Sequence, residues 1–140
     1  MKREVVTRVL EEDQVRGELR YLIDHFTENG EESCEVLFGW PWGNDYYPGN
    51  EWSDETVELA SLGSKISEVE RRNIGRLTRA DLFIKVGGIE FQFCHESDIH
   101  ILFETTGPEI EHFYDRWLAK GFNPKEWIKD DPKGPGTRVR

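Results

Sequence analysis

Between Cys94 and His100 the chain reads CHESDIH, the densest collection of ligand and acid/base groups in the sequence. Thiol, imidazole and carboxylate in so short a stretch fit two kinds of chemistry. A zinc ion needs three or four donors converging at about 2.0 to 2.3 Å. Alternatively, a carboxylate can orient an imidazole beside a thiol for nucleophilic catalysis. Both uses require the side chains to leave the backbone on one side, so the elements that carry them decide between these uses and a plain polar turn.

Those elements are legible in DLFIKVGGIEFQFCHESDIHILFE, residues 81–104. Three short runs alternate apolar and polar and are separated by Gly87-Gly88 and by Glu96-Ser97-Asp98, the pattern of two consecutive hairpins. A two-residue Gly-Gly loop supplies the positive φ values of a tight primed turn and predicts Val86 opposite Ile89. Ile84 then faces Phe91, Leu82 faces Phe93, and Lys85 meets Glu90 on the other side as an opposite-charge pair. A three-residue second loop predicts His95 opposite Ile99, Phe93 opposite Ile101 and Phe91 opposite Phe103. In that register His95 faces the core while Asp81, Cys94 and His100 share a row on the outer face. Zinc ligands do not converge, so no metal and no cofactor is expected. The catalytic alternative is His100 as acid/base, Cys94 as nucleophile and Asp81 as orienter. The neighbouring row, Phe83, Gln92 and Leu102, is too apolar for a solvated face and could join two copies as a homodimer.

The rest of the chain supplies the frame. Val15, Leu19, Leu22, Ile23 and Phe26 make one apolar stripe on a helix over about 12–29, with acidic residues at its positive end and Asn29-Gly30 as its stop. A second helix over about 108–120 is expected from Thr106-Gly107-Pro108-Glu109, read as a capping box, and from the stripe Ile110, Phe113, Tyr114, Trp117 and Leu118. Residues 4–10, 34–40 and 56–62 read as strands, 65–74 as a short helix, and Asn123-Pro124-Lys125-Glu126 as a further helical turn plugged by Trp127 and Ile128. The fold class is therefore α+β: an antiparallel sheet including a three-stranded meander at about 81–104, with the two main amphipathic helices packed on one face. A single domain covers 1–130, and 131–140, with its prolines and glycines, is expected to be a mobile tail.

With 28 acidic residues against 18 basic ones, a formal net charge of −10 repels nucleic-acid phosphates and anionic lipid and favours a basic protein partner. The 2 cysteines make no disulfide framework, and no apolar signal core or membrane-length run occurs, so the expectation is a soluble cytoplasmic protein. Two surfaces could meet a basic partner. Trp40, Trp42, Tyr46, Tyr47 and Trp52 lie in a Pro- and Gly-rich loop beside Asp45 and Glu51, and exposed Trp and Tyr are the residues of binding hot spots. The acidic helix offers Glu11, Glu12 and Glu18. No phosphate-binding loop, dinucleotide fingerprint, serine elbow, paired CxxC or HExxH is present. In composition the chain is similar to immunity and antitoxin proteins, a likeness that implies a non-enzymatic inhibitor that covers its target.

Overall fold

A computed structural model gives the fold and describes residues 2–129 and 137–138. Eight strands, β1 (Lys2–Val6), β2 (Ser33–Phe38), β3 (Glu55–Glu58), β4 (Leu82–Val86), β5 (Ile89–Phe93), β6 (Ile99–Phe103), β7 (Lys125–Lys129) and β8 (Thr137–Arg138), form one sheet in the order β3-β2-β4-β5-β6-β1-β7-β8. Every neighbouring pair is antiparallel. Four helices accompany it: α1 (Glu12–Glu28), α2 (Gly43–Tyr46), α3 (Leu62–Glu70) and α4 (Pro108–Ala119). The chain is α+β, as its sequence implies. None of the described helices is long and apolar enough to cross a membrane.

The β4–β5 hairpin has the register that the Gly-Gly turn demands, Val86 opposite Ile89 and Lys85 opposite Glu90, with both glycines at positive φ. The β5–β6 hairpin does not have the expected register. Phe93 pairs with Ile99, Phe91 with Ile101 and Gln92 with His100, a slip of two residues that lengthens the loop to residues 94–98. A slip of two keeps each side chain on its side of the sheet and changes only its neighbours. The expected outer rows are therefore wrong in membership. Phe83 and Gln92 are joined by His100 rather than Leu102, and Leu102 lies opposite Glu90. The shared dimer row Phe83, Gln92, Leu102 and the catalytic row Asp81, Cys94, His100 do not exist as cross-strand rows.

The apolar side of the sheet is buried from Val36 and Phe38 through Leu82, Ile84, Phe91 and Phe93 to Ile101 and Val5. Phe26 of α1 stacks on Phe113 of α4 with ring centres 6.0 Å apart, and both rings meet Phe91 edge-on. Phe26, Phe91 and Phe113 thus form one aromatic cluster between α1, α4 and β5, large rings that bury much apolar surface.

Several local expectations are corrected. The backbone N–H of Glu11 donates to Gln14 Oε1 at 2.9 Å, so the reciprocal cap belongs to α1. The cap of α4 is Gly107, with Pro108 in the first turn, and Thr106 instead donates to Glu111. Residues 125–129 are a strand, because β1 has an edge left over after pairing with β6 and β7 fills it. Of the tail at 131–140, Thr137–Arg138 pairs with β7 and the other residues lie outside those described.

Candidate functional site

The loop 94–98 is held by partners distant in sequence. The N–H of Leu10 donates to Ser97 O at 2.9 Å, and the N–H of Thr7 to Ile99 O at 3.0 Å. The Ser97 hydroxyl donates to Thr78 O at 3.3 Å, and the N–H of Ile99 to Thr7 Oγ1 at 3.0 Å. Within the loop, Cys94 N–H donates to Asp98 O and Ser97 N–H to Cys94 O, both at 3.0 Å, and Ser97 takes a φ of 69°. These bonds bring the two ends of the loop together. The period-two alternation of the flanking strands, Gln92 then Cys94 and His100 then Asp98, puts all four on the outer side of the sheet.

Two donor groups result, and they share Cys94. In one, Cys94, Asp98 and His100 offer ligand atoms within 4.8 Å of one another. In the other, Asp81, Cys94 and His95 do the same. His100 is the more enclosed histidine. Its Nδ1 lies 3.1 Å from Glu4 Oε2 in hydrogen-bonding geometry. Its Nε2 approaches Asp98 Oδ1 at 3.2 Å, off the hydrogen-bonding direction, so that neither of these two buried atoms has a hydrogen bond. Burial pushes the imidazole pKa down, but the carboxylates of Asp98 and Glu4 outweigh it and raise the value to about 9. Asp98 is lowered in turn, the pairing with His100 overcoming its own burial.

Cys94 goes the other way. Burial, with the nearby charge of Asp98, pushes its thiol up to about 12, so at neutral pH it is a protonated sulfhydryl and a poor nucleophile. Asp81 does not orient His100. Its Oδ1 accepts from the backbone N–H of His95 at 2.8 Å and lies 2.9 Å from His95 Nδ1. His95 is exposed rather than facing the core, because the loop leaves strand geometry at that residue. Its pKa is raised by the bond to Asp81. The expected arrangement of Asp81, Cys94 and His100 is therefore divided between two adjacent clusters, and the sulfur between them is a poor nucleophile at neutral pH. Sequence reasoning missed Glu4 as the partner of His100 and left Asp98 as a turn residue. The signal for Asp98 was its two-residue spacing from His100.

The aromatic loop divides into core and surface. Trp42 is fully buried, and its Nε1–H donates to Asp81 O at 2.7 Å. Tyr47 is buried too, its hydroxyl accepting from the N–H of Phe38 at 2.9 Å. Both are corrected from binding residues to core. Tyr46 is half-buried, donating to Glu55 Oε1 at 2.6 Å with Arg72 over its ring. Trp40 and Trp52 remain at the surface, 53% and 40% exposed, beside exposed Asp45 and Glu51. Trp40 meets the His95 ring edge-on at 5.3 Å, which joins the aromatic surface to the loop 94–98.

The acidic helix is corrected at one position. Glu18 is buried, accepting from Arg116 at 3.2 and 2.8 Å and from Trp117 Nε1–H at 2.9 Å. It bridges α1 to α4 and is no surface contact. Glu12 pairs with Arg16 and Arg76, while Glu11, Asp13, Asp24, Glu28, Glu31 and Glu32 are exposed. The four arginines of the basic run at 71–79 are exposed, with Arg72 paired to Glu68 and Arg76 to Glu12. A depression of about 510 Å³ lined by Glu12, Thr78, Arg79, His95, Glu96 and Ser97 connects the start of α1 to the loop 94–98.

No family model, no curated protein and no solved structure matches the chain.

Proposed function

We propose that this domain is a non-enzymatic binding module, inhibitor-like in the manner of immunity and antitoxin proteins, that engages a basic protein in the cytoplasm. The reading is carried by one observation: Trp40 and Trp52 stand exposed on the same loop as the exposed carboxylates Asp45 and Glu51, in a chain of net charge −10. Large aromatic side chains bring contact area for little entropy, and the carboxylates on the same loop favour a cationic partner. The binding surface consists of Trp40, Asp45, Glu51 and Trp52, continued through His95 and the 510 Å³ depression to Glu12 at the start of α1, with Glu11 as the cap of that helix. Two free cysteines fit a reducing compartment.

The test is comparative capture on immobilised wild-type, Trp40→Ala/Trp52→Ala and Glu11→Lys/Glu51→Lys proteins, with retained proteins identified by mass spectrometry. The expected result is a basic protein held by the wild type at low salt, released as salt rises and lost with both variants. Retention of the same proteins by all three, at every ionic strength, refutes the reading.

A further inference from the structure

We infer that Cys94 Sγ, Asp98 Oδ1 and His100 Nε2 form a binding site for a divalent transition metal of the zinc type, with Glu4 as the residue that orients His100. The inference is independent of the partner-binding reading.

Four features of the cluster point the same way. The donor set is one thiolate sulfur, one imidazole nitrogen and one carboxylate oxygen, the mixture that zinc takes and that magnesium and calcium do not. The three atoms lie within 4.8 Å of one another, and Nε2 and Oδ1 are 3.2 Å apart. Two ligands each about 2.0 to 2.2 Å from a tetrahedral zinc ion stand about 3.4 Å from one another, so these two are already close to the spacing a shared ion imposes. Both atoms are buried, and their ion pair with each other falls outside hydrogen-bonding geometry, so a shared ion would meet both better than they meet each other. Finally, Nδ1 of the same ring is 3.1 Å from the Glu4 carboxylate. A carboxylate on one ring nitrogen fixes the tautomer and leaves the lone pair of the other for a metal, the usual arrangement behind a metal-bound histidine.

Cys94 is the ligand that the neighbouring cluster contests. Its sulfur lies 3.8 Å from His95 Nδ1, but that nitrogen is already engaged by Asp81 at 2.9 Å and the ring is exposed. His100 is more enclosed than His95, and its Nε2 has no hydrogen bond, so the ion belongs with His100 and Asp98. Three protein ligands leave a fourth position for water or an incoming group.

The experiment uses the full chain, stripped with chelator and titrated with Co²⁺ as a spectroscopic stand-in and with Zn²⁺ by calorimetry. The expected result is one equivalent bound, a thiolate-to-cobalt charge-transfer band and the intense visible bands of a tetrahedral ion. Cys94→Ser removes the charge-transfer band. Asp98→Asn and His100→Gln each weaken Zn²⁺ binding at least tenfold, Glu4→Gln weakens it by about ten- to a hundredfold, and His95→Ala leaves it unchanged. Circular dichroism of each variant identifies any that fails to fold. Absence of the charge-transfer band in the wild-type protein overturns the inference without recourse to any variant. So does a loss of binding in His95→Ala with none in His100→Gln, which moves the ion to the other cluster.

Discussion

His100 makes the stability of the metal-free protein depend on pH between about 6.5 and about 9. In the unfolded chain an imidazole holds its proton only below its ordinary value of 6.5, whereas in the fold the ring between Glu4 and Asp98 holds it to about 9. The folded state therefore binds more protons than the unfolded state between those values, and its stability falls as pH rises. The contribution is fully present below about pH 6.5 and gone above about pH 9. At about 1.4 kcal/mol per pH unit the gap corresponds to at most about 3.5 kcal/mol. The side chain keeps 19% of its surface exposed, so some of that is lost to solvent screening. The assay is urea unfolding in chelator at intervals from pH 6 to 10, for wild type and His100→Gln side by side. Subtracting the two curves removes His95, which titrates in both. The wild-type curve should drop relative to the variant by about 2 to 3 kcal/mol across the window. Parallel curves, or a His100 ring that titrates near 6.5 by NMR, refute the reasoning.

Other consequences follow from burial and bonding. Glu18→Ala removes the acceptor of three hydrogen bonds from Arg116 and Trp117, leaving the buried indole N–H unpaired and the guanidinium without its partner, and should cost about 3 to 5 kcal/mol in urea unfolding; a loss below 1 would contradict the bridge. Trp42→Ala should destabilise by about 3 to 5 kcal/mol, whereas Trp40→Ala should change stability by less than about 0.5, and equal effects would undo the division of the loop into core and surface. Cys94, with its thiol at about 12, should alkylate at neutral pH at least about a hundredfold more slowly than a free thiol of pKa about 8.5, and a fast reaction would reopen the nucleophile. Asp81→Ala deletes the bonds to His95 but not the carbonyl that Trp42 uses, so amide exchange should quicken at His95 and stay slow at the Trp42 indole. Faster exchange at both would show that the carboxylate supports the core as well.

The difference between what could be read from the chain and what could not lies in the range of the interactions. The first hairpin was legible because Gly87 and Gly88 set its register locally, and the observed pairing runs from Val86–Ile89 to Leu82–Phe93. The second was not, because the loop 94–98 is shaped by Thr7, Leu10 and Thr78, residues that no local pattern connects to it. The same holds for Trp42, whose burial depends on Gly75: a Cβ there would sit 2.4 Å from Trp42 Cβ. Glu18 is a different kind of miss. It falls three residues after Val15 and four before Leu22, on the apolar stripe itself, and a carboxylate at that place in the pattern needs a buried donor. The strand at 125–129 was misread because its Asn-Pro-Lys-Glu start resembles a cap, while the vacant edge of β1 that recruits it is visible only once the sheet order is known.

Asp81 and Glu4 tie the two proposed activities to one piece of architecture. Asp81 N–H donates to Trp40 O at 2.7 Å, its carbonyl accepts from Trp42, and its carboxylate holds His95, so a single residue spans the exposed indole, the buried one and the loop carrying Cys94. Glu4 reaches His100 from β1, 96 positions away in the chain, and β1 lies between β6 and β7. The three ligands lie on one hairpin, but the orienting carboxylate of Glu4 reaches His100 only once the N-terminal strand has docked between strands from later in the chain. An ion held there would favour that docked state over any frayed one, and part of its binding energy would appear as stability of the sheet. Because Cys94 and His95 are adjacent and Trp40 rests against His95, occupancy would also stiffen one end of the aromatic surface. Preorganisation of that kind lowers the entropy lost when a partner binds, which gives a physical route by which a metal at the sheet could tune recognition at the loop without touching the partner.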